Sequence, residues 1–285
     1  MKHSLICCAL ILWLSVLCGC DSDAGKTTSA PVPAPSPSTN AAFSKDEAEK
    51  LIQRLATQDG CQDSTADMRL SFTDADGKAQ QIDFRLQRKY EGDKVSTLMT
   101  VLAPKEESEK ALLAFEEAGQ PTKAISYLAG LNKVAQLKSL NPLNFRGSRS
   151  SVQEMLSMEL SKYEIVTTSV ASGTILVELK AKDVEALGLL FPRIDVTFAE
   201  ADKQPTQFEF YNDRAQKVKT IQVAEVKTVQ NYRAITKMNI EDLRNKQQLK
   251  LEIRSIKYDA KLSASLFTEA NLIKLVTAAS QKAIQ

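Results

Sequence analysis

A cysteine near the N-terminus lies in a setting that predicts covalent lipid attachment. Cys20 follows the small residue Gly19 and an apolar run at residues 5–17 that begins after a lysine. The run is too short for a permanent membrane-spanning helix, and this order of features is typical of a lipoprotein signal. The thiol of such a cysteine is linked to diacylglycerol, and the chain is cut before it and acylated, typically with palmitate. We predict a signal peptide at residues 1–19 and lipidation of Cys20, with an ordinary secretory signal as the alternative.

The remaining residues offer few catalytic groups. The one histidine, His3, lies in the predicted signal peptide, so Ser-His-Asp and Cys-His nucleophile systems and His-ligated zinc are excluded from the mature chain. Cys61 is the one cysteine beyond position 20, which excludes an intrachain disulfide and favours a small buried side chain. The acidic pairs that a carboxylate-based hydrolase would need are assigned to solvated turns: Asp74/Asp76 and Glu116/Glu117. With no phosphate-binding loop, metal-ligand cluster or nucleophile elbow, we predict no enzyme, no metal and no cofactor.

The charge balance argues against nucleic acid as a partner. Lys and Arg number 37 and Asp and Glu 35, and the basic residues form no long run. Phosphate binding needs a concentrated basic patch. A chain of 285 residues is long enough for one sizeable hydrophobic core.

Residues 20–42 have the composition of an extended tether. They are rich in Ser, Thr and Ala and include Pro31, Pro33, Pro35 and Pro37. A polyproline-like segment spans up to about 3.1 Å per residue, so it would hold a domain at 43–285 some distance from a membrane. Asp21 after the modified cysteine favours the inner membrane of the bacterial envelope, on its periplasmic side, with the outer membrane as the alternative.

The domain begins with a helix and continues as strands. Ser44 and Glu47 have the spacing of a capping box, and the apolar residues that follow share one helical face. From Asp67 the hydrophobic period changes to two, as in residues 81–87, and turn-prone connectors separate the runs. The pattern predicts a mainly β, α+β fold: a large curved antiparallel sheet of about ten to thirteen strands. A sheet of that size must curl, and helices must cover its apolar concave face or leave a cavity there.

Two later segments have helical spacing and are candidate covers. Residues 150–160 follow the flexible pair Gly147 and Ser148, which would act as a hinge, and residues 265–283 end the chain. The first segment is the predicted lid helix, and its apolar face consists of Val152, Met155, Leu156 and Leu160. A solid core without a cavity is the alternative, because alternation alone does not separate the two.

Short motifs in a fixed order run from residue 67 to 272. They include Tyr127 within residues 127–134, Phe145-Arg146-Gly147-Ser148 and Leu266-Phe267-Thr268. Their succession resembles the outer membrane lipoprotein-sorting protein family, of the LolA-like or LolB-like superfamily. The resemblance implies an unclosed β-barrel whose concave face is partly plugged by helices and accepts an acyl chain.

The sequence also departs from that family. Arg149 stands where the family has Asp, at the start of the lid helix, and a cation there needs a nearby anion. A neighbouring carboxylate is favoured over a lipid phosphate. The predicted anchor is a second departure, because a soluble shuttle would not carry one. An anchored member is suited to receiving or presenting a ligand near one membrane.

The favoured function is therefore a membrane-anchored periplasmic lipoprotein that binds and helps to transfer or sort a hydrophobic ligand. Its partners would be a lipid or lipoprotein acyl chain, a membrane through Cys20 and, as a further candidate, an inner-membrane exporter. The alternative is a structural or interaction lipoprotein, an accessory subunit of an envelope or export complex without a ligand cavity. Residues predicted to line the cavity, each with core packing as its alternative, are Phe84, Met99, Val177, Val196, Phe208, Phe210, Met238 and Leu251.

Overall fold

The computed structural model describes residues 43–128, 133–137, 144–149 and 159–284. The predicted signal peptide, the lipidation site Cys20 and the tether lie outside these residues. So do three of the predicted lid residues, Val152, Met155 and Leu156.

Thirteen antiparallel strands form one sheet. The strands follow the chain as a meander, except that β1 pairs with β13 at the centre, which leaves β6 and β7 at the two edges. Their bounds are β1 (Asp63–Thr73), β2 (Ala79–Glu91), β3 (Lys94–Ala103), β4 (Ala111–Glu117), β5 (Lys123–Leu128), β6 (Lys133–Leu137), β7 (Tyr163–Ala171), β8 (Thr174–Ala181), β9 (Arg193–Ala199), β10 (Pro205–Tyr211), β11 (Lys217–Val229), β12 (Tyr232–Asp242) and β13 (Gln247–Tyr258).

The register of the sheet aligns the apolar side chains in rows on its concave face. Val177 is opposite Val196, which is opposite Phe208, and the row continues through Ile221 to Ile240. Cross-strand pairs of this kind each stabilise a sheet by about 0.2–1 kcal/mol. The predicted large antiparallel sheet is confirmed.

Curvature arises at irregularities in the ladders. The register between β1 and β13 shifts at Asp67/Met68, and that between β11 and β12 shifts twice near Glu225. Such bulges bend a strand and increase its twist. Within the described residues the edge strands β6 and β7 do not pair with each other, so the barrel is unclosed, as the resemblance implied.

The first helix, α1 (Lys45–Ala56), begins with the predicted capping box. The Glu47 backbone N–H donates to Ser44 Oγ at 3.2 Å, and the Ser44 N–H donates to Glu47 Oε2 at 3.0 Å. Replacing such a capping residue by alanine lowers the free energy of unfolding by about 1 kcal/mol. The helix buries Leu51 and Ile52 against the concave face, in the same core cluster as Phe208. The sequence prediction of this helix is confirmed.

The last helix, α2 (Glu269–Ile284), packs on the opposite face of the sheet from α1. Leu272 and Val276 contact Leu98 and Leu113, whereas the neighbouring residue Leu112 faces the concave side. We expected the terminal helices on the concave face. The difference has a physical reason, because β4 is apolar on both of its faces over Ala111–Ala114 and both must be covered.

The described residues include four single-turn 3₁₀ helices: Gln58–Gly60, Lys105–Glu107, Leu160–Lys162 and Ala264–Leu266. In the same described part of the chain, neither α-helix nor any shorter helix is apolar and long enough to traverse a bilayer.

Candidate functional site

A cavity of about 150 Å³ lies between α1 and the concave face of the sheet. Its floor comes from β1, β2 and β11–β13, α1 with the turn after it closes one side, and the ends of β9 and β10 with the turn between them complete it. Most of its lining is aliphatic. The lining side chains include Leu51, Leu55, Met68, Leu86, Ile235, Met238, Leu251 and Ile253.

Charged side chains complete the lining of the same cavity. Four are cationic, namely Arg54, Arg88, Lys203 and Arg233, and one is the carboxylate Asp59. A mostly apolar cavity with a few polar groups is the usual form of a small-molecule site.

Asp59 joins the end of α1 to strand β12. Its Oδ1 accepts from Arg54 Nε at 3.0 Å and from Arg233 Nη2 at 3.0 Å, and its Oδ2 accepts from Arg233 Nε at 3.1 Å. The Arg233 backbone N–H donates to the same Oδ2 at 3.0 Å. Asp59 has φ +58°, a left-handed conformation that Asp tolerates better than most residues. This carboxylate therefore fixes the 3₁₀ turn after α1 over one end of the cavity.

The eight predicted wall residues all lie on the concave face, but they divide into two groups. Met238 and Leu251 line the cavity. The other six are fully buried in the surrounding core and make no part of its lining: Phe84, Met99, Val177, Val196, Phe208 and Phe210. Alternation identifies the inward face of a strand, but it does not show which part of that face α1 leaves unfilled.

The segment 144–149 inserts an aromatic ring into the concave face. Phe145 is 2% exposed, and its ring centroid lies 6.2 Å from that of Phe84. Phe145 belongs to a motif of the resembling family, but that motif did not predict this plug. An apolar residue next to a Gly-Ser pair is the signal that could have indicated it.

The predicted hinge residues are held by contacts in the structure. Gly147 has φ +80°, and a Cβ at this position would lie 2.9 Å from Asp74 Cβ, so glycine is required there. The Ser148 N–H donates to the Phe145 carbonyl at 3.0 Å. The Gly147 carbonyl also accepts from Gln247 Nε2 at 3.5 Å. The pair thus forms a tight turn that is anchored to the ends of β1 and β13.

Within the described part of the chain, Arg149 contacts a backbone carbonyl and an amide side chain, not the carboxylate that the sequence favoured. Its Nη1 donates to the backbone carbonyl of Asn245 at 3.0 Å, and its N–H donates to Gln247 Oε1 at 2.9 Å. A backbone carbonyl in the β12–β13 turn serves as the acceptor instead. Leu160, the fourth predicted lid residue, is buried in the core at the 3₁₀ turn before β7.

A second group of charges is buried where the chain enters β7. Lys162 is 1% exposed, and its Nζ donates to Thr122 Oγ1 at 2.6 Å and to Glu159 Oε1 at 3.2 Å. Thr122 also donates to Glu159. These contacts connect the turn before β5 with the turn before β7, on opposite sides of the opening in the barrel. No local sequence pattern indicates the contacts of Thr122, which lies 40 positions from Lys162.

Contrary to the prediction of a turn, Glu116 lies in strand β4. It follows the inward-facing Leu112 and Ala114 at a spacing of two, so it shares their face of the sheet. Burial raises the pKa of its carboxyl, and the charge of Arg88 opposes that rise.

Cys61 is buried against Tyr258 and Ala234, which agrees with its predicted packing role. Burial raises the pKa of its thiol to about 12, with a further contribution from Asp259, so the thiol is unreactive at neutral pH. Among the residues that the structure describes, no three His, Cys, Asp or Glu side chains are grouped to hold a metal ion.

A family model described as "Uncharacterized protein" matches residues 93–274, more than half of the chain, and the chain belongs to that family. No curated protein matches the sequence.

Solved structures identify the fold. A domain from Vibrio parahaemolyticus described as outer membrane lipoprotein-sorting is 21% identical, with a TM-score of 0.67 over 79% of this chain and 99% of that chain. A DUF1329 family protein from Desulfovibrio piger is 17% identical, with a TM-score of 0.69 over 80% and 98%. A LolA superfamily protein from Nitrosomonas europaea is 13% identical, with a TM-score of 0.62 over 79% and 99%. The chain therefore has the LolA-like fold.

Proposed function

We propose that this member of the family binds the acyl chain of a lipid or lipoprotein on the concave face of its sheet and helps to transfer or sort it in the bacterial envelope. The cavity beneath α1 is the observation that supports this proposal, because it combines an aliphatic lining with a LolA-like fold. Each CH₂ group moved from water into such a cavity contributes about 0.8 kcal/mol. Binding and release of a chain need no catalytic group, so the proposed role is not enzymatic.

The volume of the cavity limits what it holds without a change of shape. At about 150 Å³ it matches the size of an engineered cavity that admits benzene, and it is below the range of roughly 300–1,000 Å³ for drug-sized ligands. A longer acyl chain would have to displace apolar side chains of α1 from the concave face. Exposing the side chain of Leu51 or Ile52 to water would cost about 1.5–3 kcal/mol of burial free energy each. Burial of roughly two to four CH₂ groups of the ligand offsets one such loss.

The anchor and the lid complete the proposal. Lipidation of Cys20 and the tether at 20–42 would keep the domain at the periplasmic side of one membrane, with the inner membrane favoured by Asp21. Residues 150–160 would cover the concave face as a lid. Replacing Met155 and Leu156 by serine should then raise the affinity for a fatty acid while lowering stability. A double variant that loses both binding and fold would mean that the segment is ordinary core.

Mass spectrometry of lipids extracted from the gently purified, membrane-anchored protein tests the proposed function. We expect co-purifying lipid with the natural chain and its loss in Ala66→Leu, which fills the cavity from its β1 wall. Ala224→Leu, on the exposed side of β11, is the matched control and should retain lipid. An empty core together with a stable protein complex would instead support the accessory-subunit alternative.

A further inference from the structure

We infer that the ligand of this cavity is a single-chain amphiphile with an anionic head, a long-chain carboxylate or alkyl phosphate, whose head group binds the cations Arg54 and Lys203 in the lining of the cavity. This inference rests on the proposed binding of a hydrophobic chain. It adds the chemical class of the head group and the residues that recognise it.

The composition of the lining is the first observation. Among the described residues that line the cavity, four are cations and one, Asp59, is a carboxylate. Other carboxylates lie outside the lining: Glu116 is within electrostatic reach of Arg88, and Glu47 of Lys203. Those two carboxylates reduce the excess of positive charge, but they do not contribute an acceptor to the cavity. The cavity therefore offers N–H donors and positive charge to whatever enters it.

The geometry around Asp59 shows which donors remain for a head group. Among the described contacts, Asp59 engages only the Nε of Arg54, although a guanidinium has five N–H donors in a planar fork. The Arg54 side chain is 42% exposed, so its terminal nitrogens are accessible. This fork matches a carboxylate or phosphate in a bidentate arrangement. Arg54 is thus held in place by one donor while the others are available.

Lys203 supplies a second cation from the turn between β9 and β10. Its Nζ lies 5.3 Å from the centroid of the Phe43 ring, so the ammonium is positioned by the chain segment that leads into α1. Arg54 comes from the last turn of the same helix. Both cations thus border the aliphatic lining that would receive the tail. An apolar lining bordered by cations fits an amphiphile with an anionic head, because an anionic head accepts more strongly from these N–H donors than a neutral one does.

Isothermal titration calorimetry with decanoic acid, decyl phosphate, decan-1-ol and inorganic phosphate tests the inference. The alcohol has the same tail without the charge, and inorganic phosphate has the charge without the tail. We expect both anionic amphiphiles to bind the natural chain at least about tenfold more tightly than the alcohol, because hydrogen bonds to charged groups are strong. In Arg54→Gln and in Lys203→Gln this advantage should largely disappear, while binding of the alcohol is unchanged. Lys250→Gln, on the outward side of β13, removes the same charge and should behave like the natural chain.

Each other outcome has a definite meaning. If the alcohol binds as tightly as the acid, or if both Gln variants keep the preference, the head-group inference is wrong and the proposed function stands. If inorganic phosphate binds as tightly as decyl phosphate, the site binds an anion without its tail, and the inference of an amphiphile is wrong. If none of the amphiphiles binds, the proposed function itself fails. If a variant does not fold, the affinities of the natural chain are measured at increasing salt concentration instead. Salt should weaken the binding of decanoic acid but not that of decan-1-ol, and equal behaviour of the two would contradict the inference.

Discussion

Phe208 and Phe210 of strand β10 fill their part of the concave face with aromatic rings, whereas β12 and β13 line theirs with aliphatic side chains. Phe208 and Phe210 are fully buried, and the Phe210 ring lies 4.9 Å from that of Phe191. In β12 and β13, Met238 and Ile253 are only partly buried and border the cavity. The two regions have the same alternation in sequence, but rings occupy the first completely and shorter chains leave space in the second. Cavity formation here depends on side-chain volume and on how α1 is seated.

The largest effect should follow from a charge in the filled region. Phe208→Asp would bury an unpaired carboxylate and remove a ring, so we expect a loss of at least about 4 kcal/mol of unfolding free energy, or no folding at all. Glu209→Lys, at the next position but facing outward, breaks hydrogen bonds with Lys217 and Tyr211 and should remove only about 1 kcal/mol. Urea denaturation measures both. Equal midpoints would contradict the assignment of inward and outward faces.

Truncation of one side chain in each region sharpens the comparison. Phe210→Ala should lower the free energy of unfolding by about 3–5 kcal/mol, as expected for a well-packed aromatic residue. Met238→Ala should remove less, about 1–2 kcal/mol, because its side chain already borders empty space. The Met238 variant should also bind a fatty acid more tightly, since its cavity is larger. If both variants lose the same stability and neither gains affinity, the two regions are packed alike.

The connection between α1 and the floor of the cavity gives the next effect. Asp59→Asn removes the carboxylate charge at the point where Arg54 and Arg233 converge, and we expect a loss of about 1.5–3 kcal/mol. Because the variant frees donors of both arginines, decanoic acid should bind it more tightly than it binds the natural chain. Asp46→Asn, in the exposed first turn of α1, is the control. Weaker binding of the acid in Asp59→Asn would show that Asp59 keeps the arginines correctly placed.

Sequence analysis succeeded where the signal is local. The capping box of Ser44 and Glu47 predicted where α1 begins, and the two-residue period predicted the sheet, because both patterns are encoded by neighbouring residues. The pairing of Asp59 with Arg233 joins residues 174 positions apart, and no local pattern encodes it. The same limit applies to the position of the cavity, which is decided by the volumes of side chains from seven strands and helix α1.

Glu116 had a local signal that favoured the wrong answer. Two adjacent glutamates followed by Ala-Gly are typical of a turn, but the strand continues through both of them. The first glutamate faces inward because it continues the alternation of Leu112 and Ala114 along β4.

The smallest predicted effect is a pH dependence of stability that arises from the buried carboxyl of Glu116. Because burial raises the pKa of the Glu116 carboxyl above its ordinary value of 4.5, the folded chain holds this proton to higher pH than the unfolded chain does. The stabilisation from this group is therefore fully present below about pH 4.5 and is lost as the pH rises through the folded-state pKa. Glu116→Gln has no carboxyl to ionise at this position. The difference in unfolding free energy between this variant and the natural chain should therefore shift in favour of the variant between about pH 4.5 and 7. Glu117→Gln, whose partner is the exposed Lys94 at 3.3 Å, should show no such increase. Thermal unfolding of the three chains across this range measures the difference, and parallel curves for both variants would mean that the charge of Arg88 already compensates the burial of Glu116.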